Sequence, residues 1–111
     1  MRRIIILFII LSTILFSCAK EKNSVEIIQE KEIELQMIDA YKEAKQLLED
    51  EDHINAAKKF SEAELLFPQS EWAPRAALMS AYSYYSDGYY ADAIFELERF
   101  LKTYPNNSQS D

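Results

Sequence analysis

A single cysteine, Cys18, is the residue of this 111-residue chain whose position most directly indicates covalent chemistry. It follows Ser17 and an uncharged apolar run over Ile4–Phe16, and two arginines precede that run. A positive start, an apolar stretch of about 7 to 15 residues and a small residue at the cleavage point are typical of a secretory signal peptide. Because the sequence has no second cysteine, an exported thiol at this position is best explained as a site of acylation.

The residues around Cys18 favour a lipid anchor over a membrane-spanning helix. The sequence from Leu15 to Cys18 resembles the bacterial lipobox, although Phe16 stands where a smaller residue is usual. The apolar run has thirteen residues, whereas a spanning helix needs about 20. We predict a signal peptide over residues 1–17 and a Cys18 that carries diacylglycerol and an N-acyl chain such as palmitate, with an ordinary signal peptide or an uncleaved anchor as the alternative. Ala19 stands where inner-membrane lipoproteins of enteric bacteria carry aspartate, which favours the periplasmic face of the outer membrane.

No other residue pattern predicts a catalytic or metal site. His53 has no second histidine or cysteine at ligand spacing, so a packing or solvent-facing role is favoured. The acidic run Glu49–Asp52 lacks the alternating ligands and the central glycine of a calcium loop, and it is better explained as a helix start. The serines and aspartate near the carboxy terminus have no partner base. We therefore predict a binding protein that is not an enzyme and needs no cofactor besides its lipid.

The amino-acid composition indicates the fold class and excludes some kinds of binding partner. The net charge of the whole chain is −7, and removing the two arginines of the signal peptide leaves −9 on the remainder. A chain this acidic does not attract nucleic acid or anionic lipid through its overall field, so the membrane contact is expected through the lipid alone. One glycine and three prolines, with many Ala, Leu, Glu and Lys residues, indicate an all-α fold.

Apolar spacing divides the remaining sequence into a tether and helices. Residues 18–35 are predicted to be the acylated cysteine followed by a flexible, charged tether, with helix possible near its end. Apolar residues then recur at helical spacing in two stripes, the first made by Met37, Tyr41, Ala44 and Leu48 and the second by Ala56, Phe60, Ala63 and Phe67. Two further helices are predicted over 72–85 and 91–104, and residues 106–111 form a polar tail.

The second pair of helices repeats the first at an interval of 37 residues. The aligned pairs are Ala44 with Ala81, Leu47 with Tyr84, Glu51 with Gly88, His53 with Tyr90, Ala56 with Ala93, Phe60 with Leu97 and Pro68 with Pro105. Small residues at matched positions let the helices of a hairpin approach closely, and each proline ends a second helix. The pattern resembles the tetratricopeptide repeat and predicts two such hairpins over residues 36–105.

The residues from Ala56 to Asn107, together with the lipobox, resemble the amino-terminal part of the BamD (ComL) family of outer-membrane assembly lipoproteins. Three sequence motifs carry this resemblance. The first comprises Phe60, Ala63, Phe67, Pro68 and Ser70, and the second comprises Ala73, Ala76, Leu78, Ala81 and Tyr82. The third comprises Gly88, Tyr90, Ala93, Ile94, Glu98, Arg99, Phe100, Leu101, Tyr104 and Pro105. The family has more repeats than the two of this chain.

The resemblance implies a role in folding and inserting β-barrel proteins, with a BamA-like assembly machine and unfolded client segments as partners. In tetratricopeptide arrays the first helix of each pair lines a concave surface. The predicted peptide-binding groove consists of Ile38, Tyr41, Lys45, Leu48, Arg75, Leu78, Met79, Tyr82 and Tyr85. A groove lined by apolar, aromatic and cationic side chains suits an extended peptide that ends in an aromatic residue and a carboxylate. Self-association of the protein over the same face is the alternative. The competing function is that of another tetratricopeptide lipoprotein acting on peptidoglycan or the cell envelope.

Overall fold

Four helices form the part of the protein that the computed structural model describes, residues 22–108. They are α1 (Lys22–Glu49), α2 (His53–Leu66), α3 (Ala73–Ser86) and α4 (Tyr90–Thr103), and this range contains no strand. Within the same range, no helix combines the length and the hydropathy needed to cross a bilayer. The predicted signal peptide, Cys18 and the last three residues of the predicted tail lie outside the described residues.

Local sequence signals set the ends of these helices. Asp52 caps α2, because its side chain accepts a hydrogen bond from the Asn55 backbone N–H at 3.4 Å and one from the Asn55 side-chain amide at 2.9 Å. The prediction that this acidic run begins a helix is therefore confirmed. The Ser70 hydroxyl accepts hydrogen bonds from the backbone N–H groups of Trp72 and Ala73 at the start of α3.

The first hairpin, α1 with α2, buries its core against α3. One cluster joins Met37 and Ala40 of α1 to Ala63 of α2 and Ala76 of α3. A second cluster, made of Ala44, Ala56 and Phe60, is fully buried. Small side chains at these positions let the helix axes approach closely, so α2 is enclosed between α1 and α3.

The second hairpin, α3 with α4, is less enclosed. Ala81 and Ala93 are buried at the predicted positions of close approach, and Phe100 is buried near the end of α4. The other large apolar side chains of α4, which are Ile94, Phe95, Leu97 and Leu101, are between 43% and 65% exposed. Hence α3 is covered on two sides, while α4 keeps an open apolar face.

The prediction of an all-α fold of two tetratricopeptide-like hairpins is confirmed. Helices α2, α3 and α4 begin and end within one or a few residues of the predicted positions. The chain divides into two compact units, Met1–Lys31 and Glu32–Asp111, and the second contains α1 from Glu32 onwards together with α2, α3 and α4. The segment predicted as a tether is helical from Lys22 onwards, and the side chains of residues 25–31 are exposed. That it tethers the domain to the membrane stays a prediction.

Candidate functional site

The structure places the nine residues of the predicted groove in three different settings. Ile38, Tyr41 and Lys45 line one open cavity, while Leu78, Tyr82 and Tyr85 line another. Leu48 and Met79 line neither of these cavities, because they pack against the buried cluster of the first hairpin. Arg75 lies beside the first cavity, where its guanidinium stacks on Trp72.

The first cavity, of about 300 Å³, combines aromatic rings with cations, and we call it the cationic cavity. Its lining is Met37, Ile38, Tyr41, Lys42, Lys45 and Trp72. The guanidinium of Arg75 lies 5.1 Å from the centre of the Trp72 ring, and the Tyr41 ring meets the Trp72 ring edge-on at 5.7 Å. Burial raises the pKa of the Tyr41 hydroxyl, an effect that the nearby charge of Arg75 partly offsets. The two lysines are exposed and carry the only charges of the lining, so the cavity suits an anion.

The second cavity, of about 450 Å³, is apolar, and we call it the aromatic cavity. Its lining is Leu78, Ala81, Tyr82, Tyr85, Tyr90, Ala93, Ile94 and Leu97. The rings of Tyr85 and Tyr90 lie 5.5 Å apart and tilted, and the side chains of Tyr82 and Tyr85 are 54% and 61% exposed. Exposed tyrosines offer a large contact area together with a hydroxyl that can hydrogen-bond, which suits them to protein recognition.

One side of α3 connects the two cavities. Arg75, Leu78 and Tyr82 recur at spacings of three and four residues, so they project to the same side of the helix. Ten residues separate Trp72 from Tyr82, which at 1.5 Å per residue corresponds to about 15 Å. An extended peptide rises about 3.3 Å per residue, so about five residues would reach from one cavity to the other.

A buried ionic network fixes α4 against the first hairpin and so holds the aromatic cavity in place. Arg99 donates two hydrogen bonds to the carboxylate of Glu64, at 2.8 and 2.6 Å, and also binds Glu96 at 2.8 Å. The hydroxyl of Tyr104 donates to Glu64 at 2.8 Å. Glu64 is only 2% exposed, yet both of its oxygens are paired. Burial and then the hydrogen bond to Glu64 raise the pKa of Tyr104, and the hydrogen bond to Glu64 is the main cause that raises the pKa of Arg99.

Sequence reasoning missed three residues of this arrangement. Trp72 and Lys42 line the cationic cavity, and Glu64 anchors the network. Trp72 stands three residues before Arg75, a spacing that could have indicated contact on one helix face. Glu64 gave no comparable signal, because its partner Arg99 lies 35 residues away in sequence.

The described residues show no arrangement for metal binding. No group of three His, Cys, Asp or Glu side chains between residues 22 and 108 is placed to hold a metal ion. The Nδ1 atom of His53 is buried and has no hydrogen-bond partner.

Comparison with known proteins agrees with this architecture. The sequence model of the YfiO family, described as outer membrane lipoprotein, matches residues 33–111. The outer membrane protein assembly factor BamD of Caulobacter vibrioides is 34% identical to this chain over 91 residues, which is 81% of the chain and 28% of that relative. The chain thus spans little more than a quarter of the length of this relative. No solved structure matches the chain significantly. The match over residues 33–111 covers most of α1 and all of α2, α3 and α4, and the chain belongs to the YfiO family of outer membrane lipoproteins.

Proposed function

We propose that this lipoprotein is a scaffold of β-barrel assembly that holds unfolded segments of barrel proteins at the outer membrane and transforms no substrate. The name of the Caulobacter relative, an outer membrane protein assembly factor, supports this role. Docking on a BamA-like machine is part of the proposal and rests on the family resemblance.

The observation that carries the proposal is the pairing of the cationic and aromatic cavities along one side of α3. The terminal carboxylate of a client peptide would lie near Lys45 and Arg75, and its aromatic side chains would contact Trp72 and the exposed tyrosines. A cationic cavity in a chain of net charge −7 supplies a local attraction that the overall charge does not. The spacing of about 15 Å would accommodate about five extended residues.

Peptide binding tests this proposal. The probe is a fluorescent peptide copied from the carboxy-terminal strand of a β-barrel protein, and its affinity is measured by fluorescence anisotropy against the full chain in detergent. The double variant Tyr82→Ala/Tyr85→Ala should weaken binding at least about thirtyfold, because aromatic anchors that become buried on binding each contribute on the order of 1 to 2 kcal/mol. Amidating the peptide carboxylate should weaken binding as well, since Lys45 would lose its partner.

The matched control is Lys58→Ala, which removes an exposed lysine that lines a separate cavity on α2. It should leave the affinity unchanged. Equal affinities of Lys58→Ala and the double tyrosine variant, with both proteins folded by circular dichroism, would exclude the groove as the client site.

We also propose that Cys18 is the acylated residue, on the basis of the preceding apolar run and of the family description. Cells that express the protein are grown with a labelled fatty acid, and the parent is compared with Cys18→Ser. The parent should carry the label and the variant should not. Equal labelling of both proteins would place the lipid elsewhere, whatever the outcome of the peptide experiment.

A further inference from the structure

The first turns of α1 carry an exposed apolar face that neither the peptide groove nor the core of the hairpins uses. Val25, Ile27 and Ile28 are 60%, 64% and 67% exposed, although valine and isoleucine are among the residues most often buried in folded proteins. At 3.6 residues per turn, these three side chains span about 160° of the helix circumference. Apolar side chains that adjoin one another on a surface indicate contact with an apolar partner.

The other side of the same turns is polar. Glu26 and Glu30 lie one helical turn apart and face away from the three apolar residues. Lys31 follows Ile27 by four residues and therefore lies on the apolar side, where a lysine can lay its hydrocarbon stem on an apolar surface and keep its ammonium in a polar layer. Residues 22–31 hold two lysines and two glutamates, so this segment is neutral in a chain of net charge −7.

The position of this face in the sequence brings it close to a membrane. Helix α1 begins four residues after Cys18. Acyl chains on Cys18 would hold its backbone at the level of the lipid headgroups. Seven residues lead from Cys18 to Val25, and even a fully extended chain of that length reaches at most about 25 Å. A bilayer is therefore the apolar partner that this face meets at the highest local concentration.

We propose that the start of α1, residues 22–31, lies along the membrane surface and inserts Val25, Ile27 and Ile28 among the lipid headgroups and the upper acyl chains. The polar side with Glu26 and Glu30 then faces water. The acyl chains hold the protein at the membrane, whereas the helix fixes the direction in which the chain leaves it. This contact requires the membrane attachment proposed above, and it is independent of client binding along α3.

A second copy of the chain fits this face less well than a bilayer does. A coiled coil between two copies needs an apolar seam that continues over about three to four heptads. Val25 and Ile28 make one step of such a seam, but its next position is Glu32, and Ile27 lies outside it. A membrane surface accepts a wide apolar face, whereas the seam of a coiled coil is narrow.

The test uses the full chain reconstituted into vesicles of phosphatidylethanolamine and phosphatidylglycerol. An environment-sensitive fluorescent amino acid is incorporated at one position at a time, at Ile27 or Ile28 on the apolar side or at Glu26 or Glu30 on the polar side. Emission from positions 27 and 28 should shift to shorter wavelength and be quenched by brominated phospholipid, whereas emission from positions 26 and 30 should do neither. With the probe at position 28, Val25→Glu/Ile27→Glu should abolish the quenching, because two carboxylates resist transfer into lipid.

The matched control is Glu26→Gln/Glu30→Gln, which changes two residues of the polar side and should leave the quenching at position 28 as it is. Equal quenching at all four probe positions, or quenching at none of them, would overturn the proposal. A shift at positions 27 and 28 without quenching by brominated lipid would also overturn it and would assign the face to a protein partner. Mass spectrometry of the same sample reports the lipid on Cys18 separately. A protein without acyl chains that still shows the alternating quenching would refute acylation and retain the membrane contact.

Discussion

The two hairpins have the same helical plan, but they differ in what surrounds them. Phe60 on α2 is fully buried, whereas its repeat equivalent Leu97 on α4 is 43% exposed. Ala57 is fully buried, and its equivalent Ile94 is 57% exposed. Both members of each pair are apolar, and only the one that has a helix packed over it is buried. Burial at a given repeat position is therefore decided by the neighbouring helix and not by the residue type at that position.

The two hairpins also differ in the arrangement of their charged side chains. In the first hairpin Lys59 binds Glu62 at 2.9 Å and Glu43 at 3.1 Å on the surface. The repeat equivalents of Lys59 and Glu62 are Glu96 and Arg99, so the i,i+3 pair recurs with its signs reversed. The reversal lets Arg99 reach the buried Glu64, which turns a surface pair into a link between the hairpins.

The largest difference in stability loss between the two hairpins is expected when the repeat-equivalent residues Phe60 and Leu97 are each replaced by alanine. Phe60→Ala should lower the free energy of unfolding by about 3–5 kcal/mol, because it removes a fully buried ring that packs edge-on against Tyr41 at 5.2 Å. Leu97→Ala should cost only about 1 kcal/mol, since its side chain is half exposed. Urea denaturation followed by circular dichroism measures both values. Similar losses in the two variants would mean that the second hairpin is as enclosed as the first.

Breaking the buried ion pair of Arg99 should cost more stability than breaking the surface ion pair of Lys59. Arg99→Ala leaves the Glu64 carboxylate buried without its cation and should lower stability by about 3 kcal/mol. Lys59→Ala removes a surface ion pair and should leave the unfolding midpoint unchanged within error. The double variant Glu64→Leu/Arg99→Leu should recover much of the stability, since the buried Glu64 carboxylate is removed together with its cation. An Arg99→Ala protein as stable as the parent would show that Glu64 is not held by Arg99.

A smaller effect is expected at the turns between the helices of each hairpin. Glu51 and Gly88 are repeat equivalents, and both have a positive φ, 62° and 79°. Glu51→Gly should stabilise the protein by about 1 kcal/mol by removing backbone strain, and Gly88→Ala should destabilise it by a similar amount. An added Cβ at Gly88 would meet no atom within 4 Å, so the loss would report φ alone. Thermal melts of the two single variants decide this, and a destabilised Glu51→Gly protein or a stabilised Gly88→Ala protein would contradict it.

The smallest predicted effect is the contribution of Tyr104 to the pH dependence of stability. Tyr104 donates to Glu64, whereas its repeat equivalent is Phe67, which has no hydroxyl. The pKa of Tyr104 is raised above its usual value near 10, so above that pH the unfolded chain releases this proton while the folded chain retains it. Stability should fall as the pH rises above about 10, and Tyr104→Phe should make the fall less steep. Denaturant titrations at several alkaline pH values provide the test, and identical slopes would exclude the contribution of Tyr104.

Local signals made most of the fold predictable, whereas contacts distant in sequence did not. Pro68, Pro105 and the 3.6-residue spacing of apolar residues located three helices, because these features act within one or two turns. The extension of α1 back to Lys22 was underestimated, since Glu, Gln and Lys form helix without needing an apolar stripe. The sequence places Met79 in the predicted groove, whereas the structure packs its side chain against the buried cluster of the first hairpin. Spacing gives the face of a helix but not which neighbour covers it.

Site-specific photo-crosslinking in cells tests the proposal that the groove along α3 receives β-barrel clients. A photoreactive amino acid is placed at Tyr82 or, as the control, at Lys58, and cells are irradiated during a pulse of a newly made β-barrel protein. We predict a crosslink between position 82 and the unfolded barrel protein, and none from position 58. Crosslinks of equal yield from both positions, or a crosslink from position 58 alone, would contradict the claim.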